Sequence, residues 1–141
     1  MKTRSKKVII DTNLWISFLI SKNYKQLDQI IFEGKCTLVF SDELMEEFLT
    51  VSKRPKFRRF FTQEDTENLI ETIQEFADFF EVVSNVKVCR DIKDNFLLSL
   101  SKDSKANFLL TGDNDLLELK SFESTKIVTI SDFLKTINKT T

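Results

Sequence analysis

Short apolar runs alternate with amphipathic stretches along this chain. Val8 to Asp11 is β-branched and bounded by polar residues, as expected of a short buried strand. A helix is expected from about Asn13 to Ile20. A second is expected from Tyr24 to Glu33, with Leu27, Ile30 and Ile31 on one face and Gly34 as its stop. Cys36 to Phe40 is the next strand candidate, and Ser41 or Asp42 caps a helix through about Ser52. Pro55 breaks that pattern. Thr62 with Asp65 forms a capping box opening a long helix, with Leu69, Ile70, Ile73, Phe76, Ala77 and Phe80 at helical spacing. Glu81 to Val83 is a short strand candidate and Asp91 to Asp94 a polar turn. Asn95 to about Lys102 is a helix candidate with Phe96, Leu97 and Leu100 inward. Asn107 to Thr111 and Ile127 to Thr129 complete the strands. Asp113 to Leu119 makes a helical turn or two, and Ser131 caps a last helix carrying Phe133, Leu134 and Ile137. This alternation predicts an α/β fold, a mainly parallel sheet of about five strands covered on both faces.

In such sheets ligands bind outside the carboxyl ends of the strands. Asp11 ends the first strand and Asp113 follows the fourth, so both belong at that edge. Each also has an ordinary use: Asp11 as a helix cap, Asp113 and Asp115 as turn residues beside Asn114. Gly112 suits a tight strand exit there. On the helix after Asp42, the residues Leu44, Met45, Phe48, Leu49 and Val51 define the inward face. At roughly 100° per residue, Glu43 and Glu46 then face water while Glu47 lies on the flank of the buried face. A carboxylate there needs a partner, a metal or a path to water. Asp94 and Asp91 both stand where they could cap the next helix, so either is a candidate for the third acid.

Four carboxylates at one edge oppose each other. Two unit charges about 4 Å apart repel by about 4 kcal/mol at an effective dielectric near 20. Asp11, Glu47, Asp94 and Asp113 must therefore hold protons or recruit a cation. Oxygen ligands alone select Mg²⁺ or Mn²⁺ over zinc or copper. Such ions activate water and offset charge at a phosphoryl group.

Composition narrows the chemistry. The 141 residues suit one domain, 1–141, with 41% hydrophobic and 30% charged residues and 14 Phe for a core. No histidine is present, which removes Ser-His-Asp and Cys-His catalysis, and with no C-x-x-C a structural zinc site is excluded. Two cysteines, Cys36 and Cys89, are expected as free thiols. No apolar run nears the roughly 18 residues needed to span a bilayer. Met1 to Lys7 is basic, but V-I-I-D follows instead of a signal core, so a cytoplasmic location and no membrane contact are expected. A net charge of −1 is a poor overall match to a nucleic-acid binder. The cations are bunched, however: Lys53, Arg54, Lys56, Arg58 and Arg59 fall close together, and Lys2, Arg4, Lys6 and Lys7 open the chain. Phe57, Phe60 and Phe61 interleave with the first group. They are expected to pack in the core or at a dimer contact rather than stack on bases, and Trp15 and Phe18 are expected in the core or at a subunit interface.

V-I-I-D-T-N near the start, E-E-F-L-T-V-S-K-R-P-K-F in the middle, R-D-I-K-D-N-F-L-L after it and L-L-T-G-D-N-D-L-L towards the end resemble the PIN domain. They are most similar to the stand-alone bacterial PIN proteins described as toxin components of toxin–antitoxin systems, relatives of the VapC toxins. The resemblance runs from about Val8 to Leu134. It implies a three-layer α/β/α sandwich and a Mg²⁺- or Mn²⁺-dependent endoribonuclease acting on single-stranded or structured RNA. Partners would be RNA, an antitoxin protein and, in a homodimer, a second copy. By motif, Asp11, Glu47, Asp94 and Asp113 match the four metal-binding and catalytic acids, and Asp115 matches an accessory acid. Asn13 and Thr111 match polar positions beside the metal, Asp91 stands in support, and Lys53, Arg54, Lys56, Arg58 and Arg59 are candidate RNA contacts.

Two rivals remain at this stage. A haloacid-dehalogenase-type phosphatase would use Asp11 as nucleophile and G-D-N-D for metal, but wants Asp where this chain has Asn13. A non-catalytic RNA- or protein-binding module would use the acids as caps.

Overall fold

Val8, Ile9 and Ile10 are buried on both faces, which places β1 (Lys6–Ile10) in the middle of a sheet rather than at its rim. The computed structural model describes residues 6–33 and 36–138. β2 (Cys36–Phe40) and β4 (Phe108–Leu110) flank β1 in parallel, with Val8 opposite both Leu38 and Phe108. β3 (Ala77–Phe79) lies outside β2, and β6 (Thr125–Val128) outside β4, both parallel. β5 (Ser121–Phe122) closes the far edge antiparallel to β6, giving the order β3-β2-β1-β4-β6-β5. Chain order reverses between β1 and β4. The topological switch point therefore lies between Asp11, which follows β1, and Thr111, which follows β4.

Helices cover both faces, forming a three-layer α/β sandwich. They are α1 (Thr12–Ser21), α2 (Lys25–Asp28), α3 (Asp42–Ser52), α4 (Gln63–Phe76), α5 (Ile92–Ser104), α6 (Asn114–Leu117) and α7 (Ile130–Asn138). Trp15 and Phe18 are core residues, and the Trp15 ring meets Phe18, Phe40 and Phe48. Among the described residues no helix is long and apolar enough to cross a membrane.

Several elements differ from the sequence expectation. The second helix is four residues of α-helix running into a π-helical stretch, Gln29–Glu33. Gly34 lies outside the described residues, as do Lys2 and Arg4. The long helix keeps its capping box, Thr62 with Asp65, but ends at Phe76. Ala77 and Phe79 pair with Leu38 and Phe40 instead, because an open sheet edge offers this segment more than another helical turn. Glu81 to Val83 is consequently no strand. α5 starts at Ile92, since Asp91 accepts from the Lys93 N–H and caps it one turn before Asn95. The last helix is capped by Thr129, whose hydroxyl accepts from the Asp132 N–H, rather than by Ser131. Gly112 has no left-handed φ, and a Cβ there would meet nothing within 4 Å, so this exit does not depend on glycine. Cys36 and Cys89 are half-buried thiols, neither of them in a disulfide.

Between β3 and α5 an extended segment runs along α5, held at three positions four residues apart. Asp103 accepts from the Val83 and Ser84 N–H groups at 2.7 and 2.8 Å, and Ser99 accepts from Val86 N–H at 3.0 Å. Asn95 accepts from Val88 and Cys89 N–H and donates to the Cys89 carbonyl. Spacing of four on a helix puts these three side chains in one row, matched to the backbone polar groups of an extended chain. Asp103→Ala removes the carboxylate from that row. It is expected to destabilise the fold by about 1–2 kcal/mol and to lower protection of the Val83 and Ser84 amides in hydrogen exchange.

Candidate metal centre

Asp11 stands at the N-cap position of α1 but makes no capping hydrogen bond. Its Oδ2 instead accepts from the Thr111 hydroxyl at 2.8 Å, across the gap between β1 and β4. The same Thr111 oxygen accepts from the Asp113 N–H at 3.1 Å. Thr111 therefore ties the first and fourth acids of the sequence expectation together, although 100 positions separate it from Asp11. The Thr12 and Asn13 N–H groups lie close enough to favour the Asp11 charge without completing a regular cap. Burial nevertheless dominates and pushes the Asp11 carboxyl above its ordinary range, with repulsion from Asp113 adding to it.

Asp113 caps α6, its Oδ1 accepting from the Asp115 N–H at 2.8 Å. This short turn folds Asp115 back beside Asp113. Asp94 occupies the first turn of α5 and is only 5% exposed. Since Asp91 does the capping, Asp94 is free to turn inward. One oxygen from each of Asp94, Asp113 and Asp115 lies within 4.8 Å of the others. Oxygens bound to one ion at 2.0–2.1 Å stand no more than roughly 4.2 Å apart. The trio can thus close on a single divalent cation with little movement, and its donors are all oxygen.

Burial pushes the Asp94 carboxyl up to about 7, helped by repulsion from Asp113, Asp91 and Asp11. Glu47 is half-buried on α3 while Glu43 and Glu46 are exposed. Burial raises it as well; Lys93 partly offsets that, and Asp11 and Asp91 add to it. Asp11, Glu47, Asp94 and Asp113 are therefore one electrostatic unit, each repelling at least one other. Asp11 borders the trio, interacting with Asp113 and Asp94, and Glu47 stands beside Asp11. Asp115 stands closer to Asp94 and Asp113 than its accessory rank in the sequence suggests. Its other neighbour is Arg90 at 3.5 Å, an exposed pair. Cys89 also faces the group: burial raises its thiol, and Asp94, Asp115, Asp113 and Asp91 repel its ionisation. Asn13 is exposed, and its backbone carbonyl accepts from the Ser17 hydroxyl. Lys93, absent from the sequence expectation, was legible only in standing one position before Asp94.

The basic stretch divides by neighbour. Lys56 lies over the Phe57 ring and Arg59 over Phe60. Arg54 faces Glu47. Lys53 and Arg58 line a cavity between α3 and α4. Phe61 is core, Phe57 stacks on it, and Phe60 is 43% exposed.

The PIN domain family model matches residues 7–115, which contain every acid of this cluster. The chain is also 34% identical over 120 residues to an uncharacterized protein of Methanocaldococcus jannaschii. That alignment covers 81% of this chain and 75% of that protein.

A folded-state carboxyl at about 7, against an ordinary 3.8, makes the metal-free fold bind a proton that the unfolded chain has released. Stability should therefore fall as pH rises from about 4 to about 7 and level off above that. The full linkage is about 4 kcal/mol; shared among coupled carboxylates, a loss of about 2 kcal/mol is expected. Asp94→Asn should flatten that dependence and raise the metal-free Tm at pH 8. Because the ion competes with the proton, the Tm gain from Mn²⁺ should be larger at pH 8 than at pH 6. Thermal melts with and without chelator measure all three.

Proposed function

The chain belongs to the PIN domain family, and from that premise we propose that it is a Mg²⁺- or Mn²⁺-dependent endoribonuclease. PIN domains are metal-dependent nucleases. The observation that carries the proposal is the trio Asp94, Asp113 and Asp115, gathered within reach of one ion around a carboxyl that burial holds near neutrality. A divalent ion held there supplies activated water and offsets charge on the phosphoryl group. Asp94, Asp113 and Asp115 hold it. Asp11, fixed by Thr111, and Glu47, set beside Asp11 and Lys93, would orient water and the phosphodiester. We assign the whole chain, residues 1–141, to this one nuclease domain.

The motif resemblance supports a narrower role as the toxin of a toxin–antitoxin pair in the cytoplasm, with an antitoxin protein as partner and a homodimer as a compatible assembly. RNA rather than a small phosphate ester is the substrate favoured by the family premise. Asn13, in the place where a dehalogenase-type phosphatase needs an acid, favours it too.

Mixed-sequence single-stranded RNA incubated with Mn²⁺ should be cut by the wild type. Asp113→Asn is expected to cut it at least ~100-fold more slowly, about 3 kcal/mol of lost transition-state stabilisation, and chelator should have the same effect. Equal cutting by both proteins would mark a contaminant and end the proposal. Release of inorganic phosphate from a small ester without shortening of RNA would assign a phosphatase instead. Mn²⁺ should also raise the Tm of the wild type but not of the Asp11→Asn/Asp113→Asn double variant.

A further inference from the structure

Five cations cluster between Lys53 and Arg59, yet their surroundings differ. Lys56 and Arg59 are engaged with aromatic rings, and Arg54 faces Glu47. Lys53 and Arg58 have no carboxylate or ring partner among the described residues and share the rim of one cavity. That cavity, about 490 Å³, lies between the end of α3 and the start of α4. It falls within the roughly 300–1,000 Å³ typical of small-molecule sites. Its floor is apolar: Phe61 is buried, and Leu49 and Ile70 are half-buried. Gln63 and Glu67 also line it, and their side chains are hydrogen-bonded to each other at 3.1 Å. Glu67 is thereby held by an amide and forms no ion pair with Lys53 or Arg58, which leaves both cations open to an incoming anion.

Apolar side chains, two cations without an ion-pair partner among the described residues and an amide–carboxylate pair, all lining one cavity, match the three parts of a nucleotide. A base has a flat apolar face, a phosphate carries charge, and a base edge offers donors and acceptors. We propose that this cavity holds one unpaired nucleotide of an RNA strand, its phosphate between Lys53 and Arg58 and its base over the floor beside Gln63 and Glu67. The identity of the strand rests on the nuclease reading above; the site itself does not include the acidic cluster. Lys53, the residue that ends α3, follows Glu47 by six positions, roughly 9 Å along the helix axis. A strand engaged here could therefore continue to the acids. A duplex cannot supply the splayed base, so the site selects single-stranded RNA.

The test is fluorescence anisotropy with a labelled mixed-sequence RNA oligonucleotide, single-stranded and annealed, in chelator so that no strand is cut. Wild type should bind the single strand at least ~10-fold more tightly than the duplex. Lys53→Ala/Arg58→Ala should weaken single-strand binding ~10-fold or more and reduce the salt slope by roughly one to two phosphate contacts. Its metal-induced Tm shift should stay as in wild type, which also shows that it folds. Glu67→Gln should alter preference among homopolymers while leaving that salt slope unchanged. Unchanged RNA binding in the double variant, or equal affinity for duplex, overturns the proposal. So does self-association lost in the double variant with RNA binding intact, which would assign the cavity to a second copy. Single-strand binding of this kind without cleavage in Mn²⁺ would sink the nuclease reading and leave this site standing. Cleavage with a KM unmoved by the double variant would do the reverse.

Discussion

Carboxylates drawn out of water toward one another need protons or a cation, and much of this fold's switch point is arranged around that demand. Asp11 and Asp113 reach the same place because β1 and β4 are neighbours in the sheet while lying far apart in sequence. Thr111 turns that adjacency into fixed geometry, donating to one carboxylate and accepting from the backbone of the other. A hydroxyl can do both at once, whereas a valine of the same shape could do neither. The result is a set of acids both buried and close together, and burial first and repulsion second raise the Asp94 carboxyl.

The β-strand pattern and the alternation with helices were legible because buried parallel strands read as plain apolar runs and their helices as periodic ones. V-I-I, T-L-V-F and F-L-L all became strands of the sheet. What escaped was decided by partners far away in sequence. Ala77 and Phe80 continue a helical period that the strand pairing with β2 interrupts, and no local signal announces a free sheet edge. β5, two residues long, is defined by its pairing alone. For the acids, local rules named the right neighbourhood but not the division of labour. Asp91 and Asp94 carry the same chemistry three positions apart, and only the start of α5 decides which caps and which turns inward. Asp115 enters the tight trio through the turn that Asp113 caps, a tertiary consequence of a local hydrogen bond.

The segment held against α5 extends this logic from the site to its support. Asn95, Ser99 and Asp103 take up backbone N–H groups that belong to no strand or helix. They thereby bring Cys89, Arg90 and Asp91 to the acidic end of α5 in a set conformation. An irregular chain with its donors satisfied can be as well placed as a regular one. Asp91 can cap α5, and so free Asp94, only because the chain before it arrives along this path.

Charge is apportioned in the same spirit. A net charge of −1 argues against general attraction to nucleic acid, and the acids at the switch point make that region locally repulsive. Cations near that end of the fold are few and already committed: Lys93 faces Glu47, and Arg90 meets Asp115. Affinity for a polyanion must then come from a cation-bearing surface away from the acids, and from the divalent ion that would neutralise them. If RNA is its substrate, as proposed, a molecule built this way should hold the strand more weakly without metal than with it. In the proposed nuclease, metal loading would do two jobs, turning a repulsive edge into an attractive one and supplying the chemistry at that edge.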